Sequence, residues 1–416
     1  MDVERLVACC RERLPATLAL LREMVAVNSF TQNAAGVNLL SRLTAERFAP
    51  LGFEASFPPS THPDYGDHLV LRTPRREDAP TIALVSHLDT VFPAEEEQRN
   101  KFQWRDEGAR IYGPGTNDIK GGTALIHLML SVLAAELPSV FNSANWVVLL
   151  NACEEVISAD FREVCVQHLP ADTLACLVFE ADGGEGDIFS MVRARKGRTT
   201  FVIEVEGRGA HAGSSHKRGA NAIVELAGIV QRLSGLTNYA EQLTVNFGSI
   251  SGGTVANRVP HYARAELEMR AFDPEVFARA KATIQGCAGL GLVESVEEPR
   301  HRCRVTVTGG DQTPPWPQNR ATDDLLEIWL EAGKELGLTC RSEERGGLSD
   351  GNVLCDLFPT LDGLGPRGDN SHCSERSADG SKEQEWVDVT SFAPKAALNL
   401  RAIVSLLERA AFAREA

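Results

Sequence analysis

Apolar residues recur at helical spacing over residues 3–26 (Leu6, Leu14, Leu18, Leu21, Met24, Val25), so an amphipathic helix is expected at the start of the chain. Short apolar runs at 68–73, 81–86, 146–151 and 174–179 predict buried strands, alternating with helical stretches near 38–49, 119–136 and 158–168. This is the βα rhythm of a layered α/β sheet covered by helices. Functional loops in such sheets collect at the carboxyl ends of the strands. His87, the loop 112–122, Glu154-Glu155 and Glu180 are therefore expected to converge on one edge.

The texture changes near residue 190. Strands are predicted at about 190–194, 199–206, 243–251, 263–270 and 302–308, with two helical segments near 219–233 and 274–287. Two helices over an antiparallel sheet make an α+β sandwich, read as an inserted domain. After the Pro-rich stretch Thr313-Pro314-Pro315-Trp316-Pro317, a helix at 322–336, a short strand near 359–361 and a long helix at 388–411 complete the first domain. The expected division is a discontinuous catalytic, metal-binding domain, 1–194 and 310–416, around an insert at 195–309. No internal repeat or low-complexity segment interrupts this pattern.

With 416 residues, 43% of them apolar and 24% charged, the chain has the make-up of an ordinary globular protein. A net charge of −15 with no basic stripe argues against nucleic acid as a partner. The ten cysteines form neither a CxxC pair nor a disulfide-like framework, which points to reduced thiols and a cytoplasmic location. The start Met-Asp-Val-Glu-Arg does not read as a signal peptide, and no run has the length of a membrane span.

The candidate chemistry lies at the strand ends. His87-Leu88-Asp89 closes the run Thr81–Ser86, and alternation along an extended chain puts the Asp on the same side as the His. That geometry suits a metal-binding imidazole whose second nitrogen is held by a carboxylate. Asp118 begins the apolar helix after Gly113-Pro114-Gly115-Thr116-Asn117, where an isolated Asp is read first as a helix cap. The glycines also suggest a phosphate loop, but there is no GxxxxGK[ST] and the carboxylate would repel phosphate. Glu154-Glu155 follows one apolar strand and repels itself unless a cation or a raised pKa relieves it, or the pair is simply a solvated turn. Glu180 ends another strand. His372 follows a glycine-bearing loop and, taken alone, is a surface residue.

Together, two His and three carboxylates at strand and loop ends match the ligand set preferred by zinc, with cobalt and manganese also fitting. An Asp shared by two ions, with one His and one Glu apiece, leaves room for a bridging water whose pKa falls towards about 7. The remaining Glu is then the natural proton carrier.

These motifs resemble, in the same order along nearly the whole chain, the two-zinc amidohydrolase and peptidase family. Its members include aminoacylase, acetylornithine and succinyl-diaminopimelate deacylases and bacterial glutamate carboxypeptidase. The resemblance implies a mixed-sheet zinc-peptidase domain with helices on both faces, and an inserted α+β sandwich serving as lid and dimerisation domain. It implies two divalent ions per chain, one on His87, Asp118 and Glu180 and the other on Asp118, Glu155 and His372, with Asp118 bridging. Glu154 matches the general base and Asp89 the partner of His87. His211, in Gly209-Ala210-His211-Ala212-Gly213, matches the residue that completes a partner subunit's site in a homodimer and polarises the scissile carbonyl. Asn257 and Arg270 match positions that bind the substrate carboxylate, although Arg270 before Asp273 also reads as a structural ion pair. Gly346–Asn352 looks like a loop on the substrate side.

The chain departs from the family pattern at Cys153 and Ile157 and in the long polar link Ser374–Glu385, which either borders the active-site mouth or is an idle surface loop, the latter being the preferred reading. The loop Pro359–Pro366 most resembles the glutamate-carboxypeptidase branch. The implied reaction is hydrolysis of an amide next to a free carboxylate in a small peptide, releasing a C-terminal amino acid. The alternative is deacylation of an N-acyl amino acid. A non-catalytic binder is disfavoured because every expected position is filled. A thiol enzyme is disfavoured because no Cys has a recognisable His partner or redox spacing.

Overall fold

The computed structural model describes residues 3–156 and 160–415; Ile157 lies outside the described residues. The chain forms two compact units. The first contains the chain up to Arg193, then Gln318–Glu344, then the chain from Ser349 onward. The second comprises Ala194–Pro317 with Arg345–Leu348, so it runs past residue 309 and takes in a short return segment.

The main sheet of the first unit has six strands, in the spatial order Glu54–Ser56, Leu69–Arg72, Asn145–Asn151, Thr81–His87, Ala175–Val178 and Thr360–Leu361. The first two junctions are antiparallel and the rest parallel, which makes the sheet mixed. Thr81–His87 and Asn145–Asn151 are buried at every position, as expected of strands covered on both faces. Leu84, Val148 and Leu150 point into the larger core, shared with residues of the helices Val3–Val25, Lys120–Glu136, Arg320–Glu335 and Val389–Glu415. Their neighbours Ala83, Val147 and Leu149 point into a smaller core, closed by Phe161, Val164, Leu354 and Phe358.

Gly122 brings the helix Lys120–Glu136 against this sheet. A Cβ there would stand 2.1 Å from the Phe179 carbonyl oxygen, so only glycine lets the helix start approach the strand end that leads to Glu180.

A second, four-stranded antiparallel sheet joins Gly368–Asp369, Trp386–Asp388, Arg110–Tyr112 and Arg105–Glu107. The hairpin from Arg105 to Tyr112 is mostly polar and turns at Gly108 (φ 78°), so apolar patterning does not reveal it.

The second unit is a five-stranded antiparallel sheet ordered Thr244–Gly252, Tyr262–Ala271, Gly197–Glu206, Arg302–Thr313 and Gly289–Glu294. The helices Ala222–Ser234 and Pro274–Gln285 pack on it through Leu226, Ile229, Phe277 and Ile284, against Phe201, Ile203 and Met269. Gly289–Glu294 was not anticipated. Its apolar Leu290 and Leu292 are exposed, so burial gives that run no pattern to read.

Candidate metal centre

The parallel register sets the site. His87 is the last residue of its strand and pairs with Asn151, so the chain leading to Glu154-Glu155 leaves the sheet beside it. Val178 pairs with Val85, which brings Glu180 to the same edge. Asp118 enters from the Gly113–Ile119 turn and His372 from the loop after Gly368–Asp369.

Asp118 lies between the two histidines. Its Oδ1 is 3.1 Å from His87 Nε2 and its Oδ2 is 3.3 Å from His372 Nε2. Each histidine also has its own glutamate: Glu180 Oε1 is 3.8 Å from His87 Nε2, and Glu155 Oε2 is 3.1 Å from His372 Nε2. Glu154 Oε2 stands 4.0 Å from His87 Nε2. Ligand atoms of His87, Asp118 and Glu180 lie within 4.8 Å of one another, as do those of Asp118, Glu155 and His372.

The protonation pattern suits cations. His87 Nδ1 faces two acceptors, the Asp89 carbonyl oxygen at 3.0 Å and Asp89 Oδ1 at 3.4 Å, so the ring proton sits there and leaves the Nε2 lone pair for a ligand. The Asp89 carboxylate also accepts from the Thr31 hydroxyl and from the backbone N–H groups of Glu154 and Glu155, tying the glutamate pair to the His87 strand. Burial and the nearby Asp118 and Glu154 carboxylates push Glu155 up to about 8. Burial and Asp118 likewise raise Glu180 well above the usual carboxylate range. Hydrogen bonds to Asp118 and Glu155 hold His372 at about 11. Burial pulls His87 down, but Asp118 and Asp89 outweigh it and leave the ring raised.

Without a cation these carboxylates must therefore borrow protons, and Glu155 Oε1 is buried with no hydrogen-bond partner. A pair of divalent ions on these nitrogen and oxygen donors would remove both difficulties, so the residues fit such ions.

Residues 193–293 match the M20 peptidase dimerisation domain. Carboxypeptidase G2 of Pseudomonas sp. (strain RS-16) is 27% identical over 395 residues, covering 94% of this chain and 89% of that protein. An acetylornithine deacetylase of Edwardsiella ictaluri (strain 93-146) is 29% identical over 278 residues, 62% of this chain and 68% of its own length. The crystal structure of aminopeptidase PepT from Bacillus cereus ATCC 10987 superposes with a TM-score of 0.72 at 22% identity, covering 95% of this chain and 98% of that one.

The chain resembles the M20 peptidases along nearly its whole length.

It is an enzyme of the metallopeptidase and amidohydrolase type, and zinc dependence is typical of the family it resembles. A third cluster, His68, Cys153 and Asp160, also has ligand atoms within 4.8 Å of one another. Here the hydrogen bonding runs the other way. His68 Nδ1 accepts the Ala152 N–H at 3.1 Å, so the ring proton lies on Nε2, which stands 3.5 Å from Asp160 Oδ2 without a hydrogen bond. No lone pair remains there for a metal, and the group reads as a buried His–Asp contact that anchors Cys153 next to the glutamate pair.

The remaining candidates belong to the second unit. His211 is exposed, and its Nδ1 accepts the N–H groups of Gly213 and Ser214, both at 3.1 Å. That leaves Nε2–H as an outward donor. Asn257 is exposed, and its carbonyl oxygen accepts from Ala212 N–H at 2.9 Å. Arg270 donates to both carboxylate oxygens of Glu268, at 3.0 and 3.3 Å, and to the Gly346 carbonyl oxygen at 2.9 Å, so its fork already has protein partners.

Two buried carboxylates near the centre escaped sequence reasoning. Asp350 Oδ1 accepts from Asn151 Nδ2 at 2.7 Å, and burial together with Glu154 raises it well above its usual range. Glu385 accepts from the backbone of Asn117 and Asp118, and burial pushes it up to about 8. Asp350 sits in a glycine-bearing loop singled out for the substrate rather than for support. Glu385 is hidden at the end of a polar run that looks like surface.

Proposed function

We propose that the protein hydrolyses an amide bond beside a free carboxylate in a small peptide, releasing the C-terminal amino acid. The observation that carries the reading is the split of Asp118: each of its oxygens faces a different histidine, each histidine has its own glutamate, and Glu154 stands beside them. His87, Asp118 and Glu180 would hold one divalent ion, and Asp118, Glu155 and His372 the other, with zinc the first candidate and cobalt or manganese compatible. When bound, the ions would polarise the scissile carbonyl and acidify water.

Glu154 takes a proton from the attacking water and returns it to the leaving amine. Asp89 holds His87 and the Glu154 backbone in place for that transfer. In a homodimer, His211 donates from Nε2 to the carbonyl oxygen of the partner's substrate. Asn257 and Arg270 anchor the substrate carboxylate, with Arg270 exchanging part of its pairing to Glu268 to do so.

Similarity to carboxypeptidase G2 along 94% of the chain supports the carboxypeptidase reading. Similarity to an acetylornithine deacetylase over 62% of the chain supports N-acyl-amino-acid deacylation as the second reading. Dimerisation through the second unit is supported by the match to a dimerisation domain and by an edge strand whose Leu290 and Leu292 are 64% and 77% exposed. Ten free cysteines and the lack, among the described residues, of a helix long and apolar enough to cross a membrane fit a cytoplasmic setting.

The test is a panel of dipeptides and N-acyl amino acids assayed before and after chelation. Chelator-sensitive release of a C-terminal amino acid from dipeptides supports the first reading, and faster cleavage of acyl amino acids replaces it with the second. No turnover by a metal-loaded protein overturns both.

A further inference from the structure

We infer that Glu385 is a positioning residue of the metal centre, fixing the peptide that carries Asp118 and coupling it to the loop that carries His372. The inference rests on the reading of Asp118 and His372 as metal ligands.

Glu385 is fully buried at the end of the polar link that follows His372. Its Oε1 accepts the N–H of Asn117 at 2.9 Å and that of Asp118 at 3.2 Å. Its own N–H donates to the Cys373 carbonyl oxygen at 2.8 Å, and its carbonyl oxygen accepts from Gly113 N–H at 3.4 Å. One residue thus binds both ends of the Gly113–Asp118 turn and the residue directly after His372. Asn117 adds a parallel tie, donating from Nδ2 to Ser371 Oγ at 2.8 Å.

The N–H of Asp118 is bonded to the same Cα that bears its carboxylate. Holding that N–H restricts rotation about the N–Cα bond and so aims the two oxygens at the two histidines. One oxygen of Glu385 accepts both peptide N–H groups, so the hold depends on how far that oxygen reaches. Glu385 is itself located by the strand that follows it, where Trp386 pairs with Tyr112 and with Asp369.

His372 has particular need of such a tether. Its side chain is 53% exposed and its backbone is left-handed (φ 67°), so packing does little to hold it. The link from Ser374 to Glu385 is then a strap rather than an idle loop. Glu383 within it accepts from the Tyr112 hydroxyl at 2.8 Å and from Asn370 Nδ2 at 3.2 Å, tying together the same two segments.

The discriminating pair of variants is Glu385→Asp, which keeps the carboxyl group but withdraws its oxygens, and Glu385→Gln, which keeps the reach and an accepting oxygen but replaces the carboxyl group. Co2+ affinity of the full chain is measured by chelator competition, alongside thermal unfolding of the metal-free protein. Positioning predicts that Glu385→Asp weakens Co2+ binding by about 10–100-fold, as losing a supporting contact to a ligand typically does. Glu385→Gln stays closer to the native protein than to the Asp variant. The inference is overturned if Glu385→Asp binds Co2+ like the native chain, or if Glu385→Gln loses as much as Glu385→Asp. It is also overturned if both variants melt earlier with unchanged Co2+ affinity, since that marks plain structural support. A native chain that takes up no Co2+ overturns the metal reading beneath it as well.

Discussion

The Nδ1 of His87 lies 3.0 Å from the carbonyl oxygen of Asp89 and 3.4 Å from its Oδ1. The main chain of Asp89 therefore orients the imidazole, while its side chain organises the Thr31 hydroxyl and the backbone of Glu154 and Glu155. Asp89→Ala should leave the His87 tautomer in place but strand those buried donors. Metal affinity is expected to fall by about 10–100-fold, a smaller loss than for His87→Ala. Zinc titration of the two variants side by side checks this, and equal losses would contradict it.

Glu154→Gln keeps the side-chain volume and the backbone N–H bond to Asp89, but it cannot take up a proton. Metal stoichiometry should be unchanged while amide hydrolysis drops by roughly 100-fold or more, the usual range for losing a general base. Near-native turnover would move that role to another residue.

Metal loading should release protons. In the metal-free centre His372 is held at about 11 and Glu155 at about 8, and His87 and Glu180 are also raised, so near pH 7 these groups carry protons that a cation must displace. Because the metal-free form binds more protons than the loaded one, apparent affinity should weaken as pH falls from 8 towards 6. Calorimetric titration with zinc in buffers of different ionisation enthalpy measures the release directly. A net proton count of zero would rule it out.

Lys395 and Asp182 form a fully buried pair, Nζ to Oδ2 2.6 Å, joining the C-terminal helix to the chain just past Glu180. Lys395→Met leaves the Asp182 charge in the core with the Gly184 and Ser190 donors. A loss of about 3–5 kcal/mol is expected, read as a lower urea midpoint. A change below about 1 kcal/mol would show that Asp182 has another means of neutralisation.

Much of the candidate centre was legible in the sequence because its potential donors sit where apolar strands stop. His87, Glu154-Glu155 and Glu180 each follow a run whose burial forces it into the sheet, and parallel strands deliver their ends to one edge. The polar hairpin at 105–112, the exposed strand Gly289–Glu294 and the strap 374–385 carry no such signal, since their conformations depend on partners distant in the chain.

The sequence by itself determined which donor types stand at which strand ends, because hydrophobic burial and local chain periodicity are properties of neighbouring residues. Only the tertiary structure decided how those donors are oriented. It put Asp118 between two histidines, gave His68 the tautomer that refuses a metal and His87 the one that accepts it, and engaged Arg270 with Glu268. It also buried Glu385 under the Asp118 turn. Each of these is a hydrogen-bond direction between segments remote in sequence, and direction is set by strand register and loop packing rather than by composition.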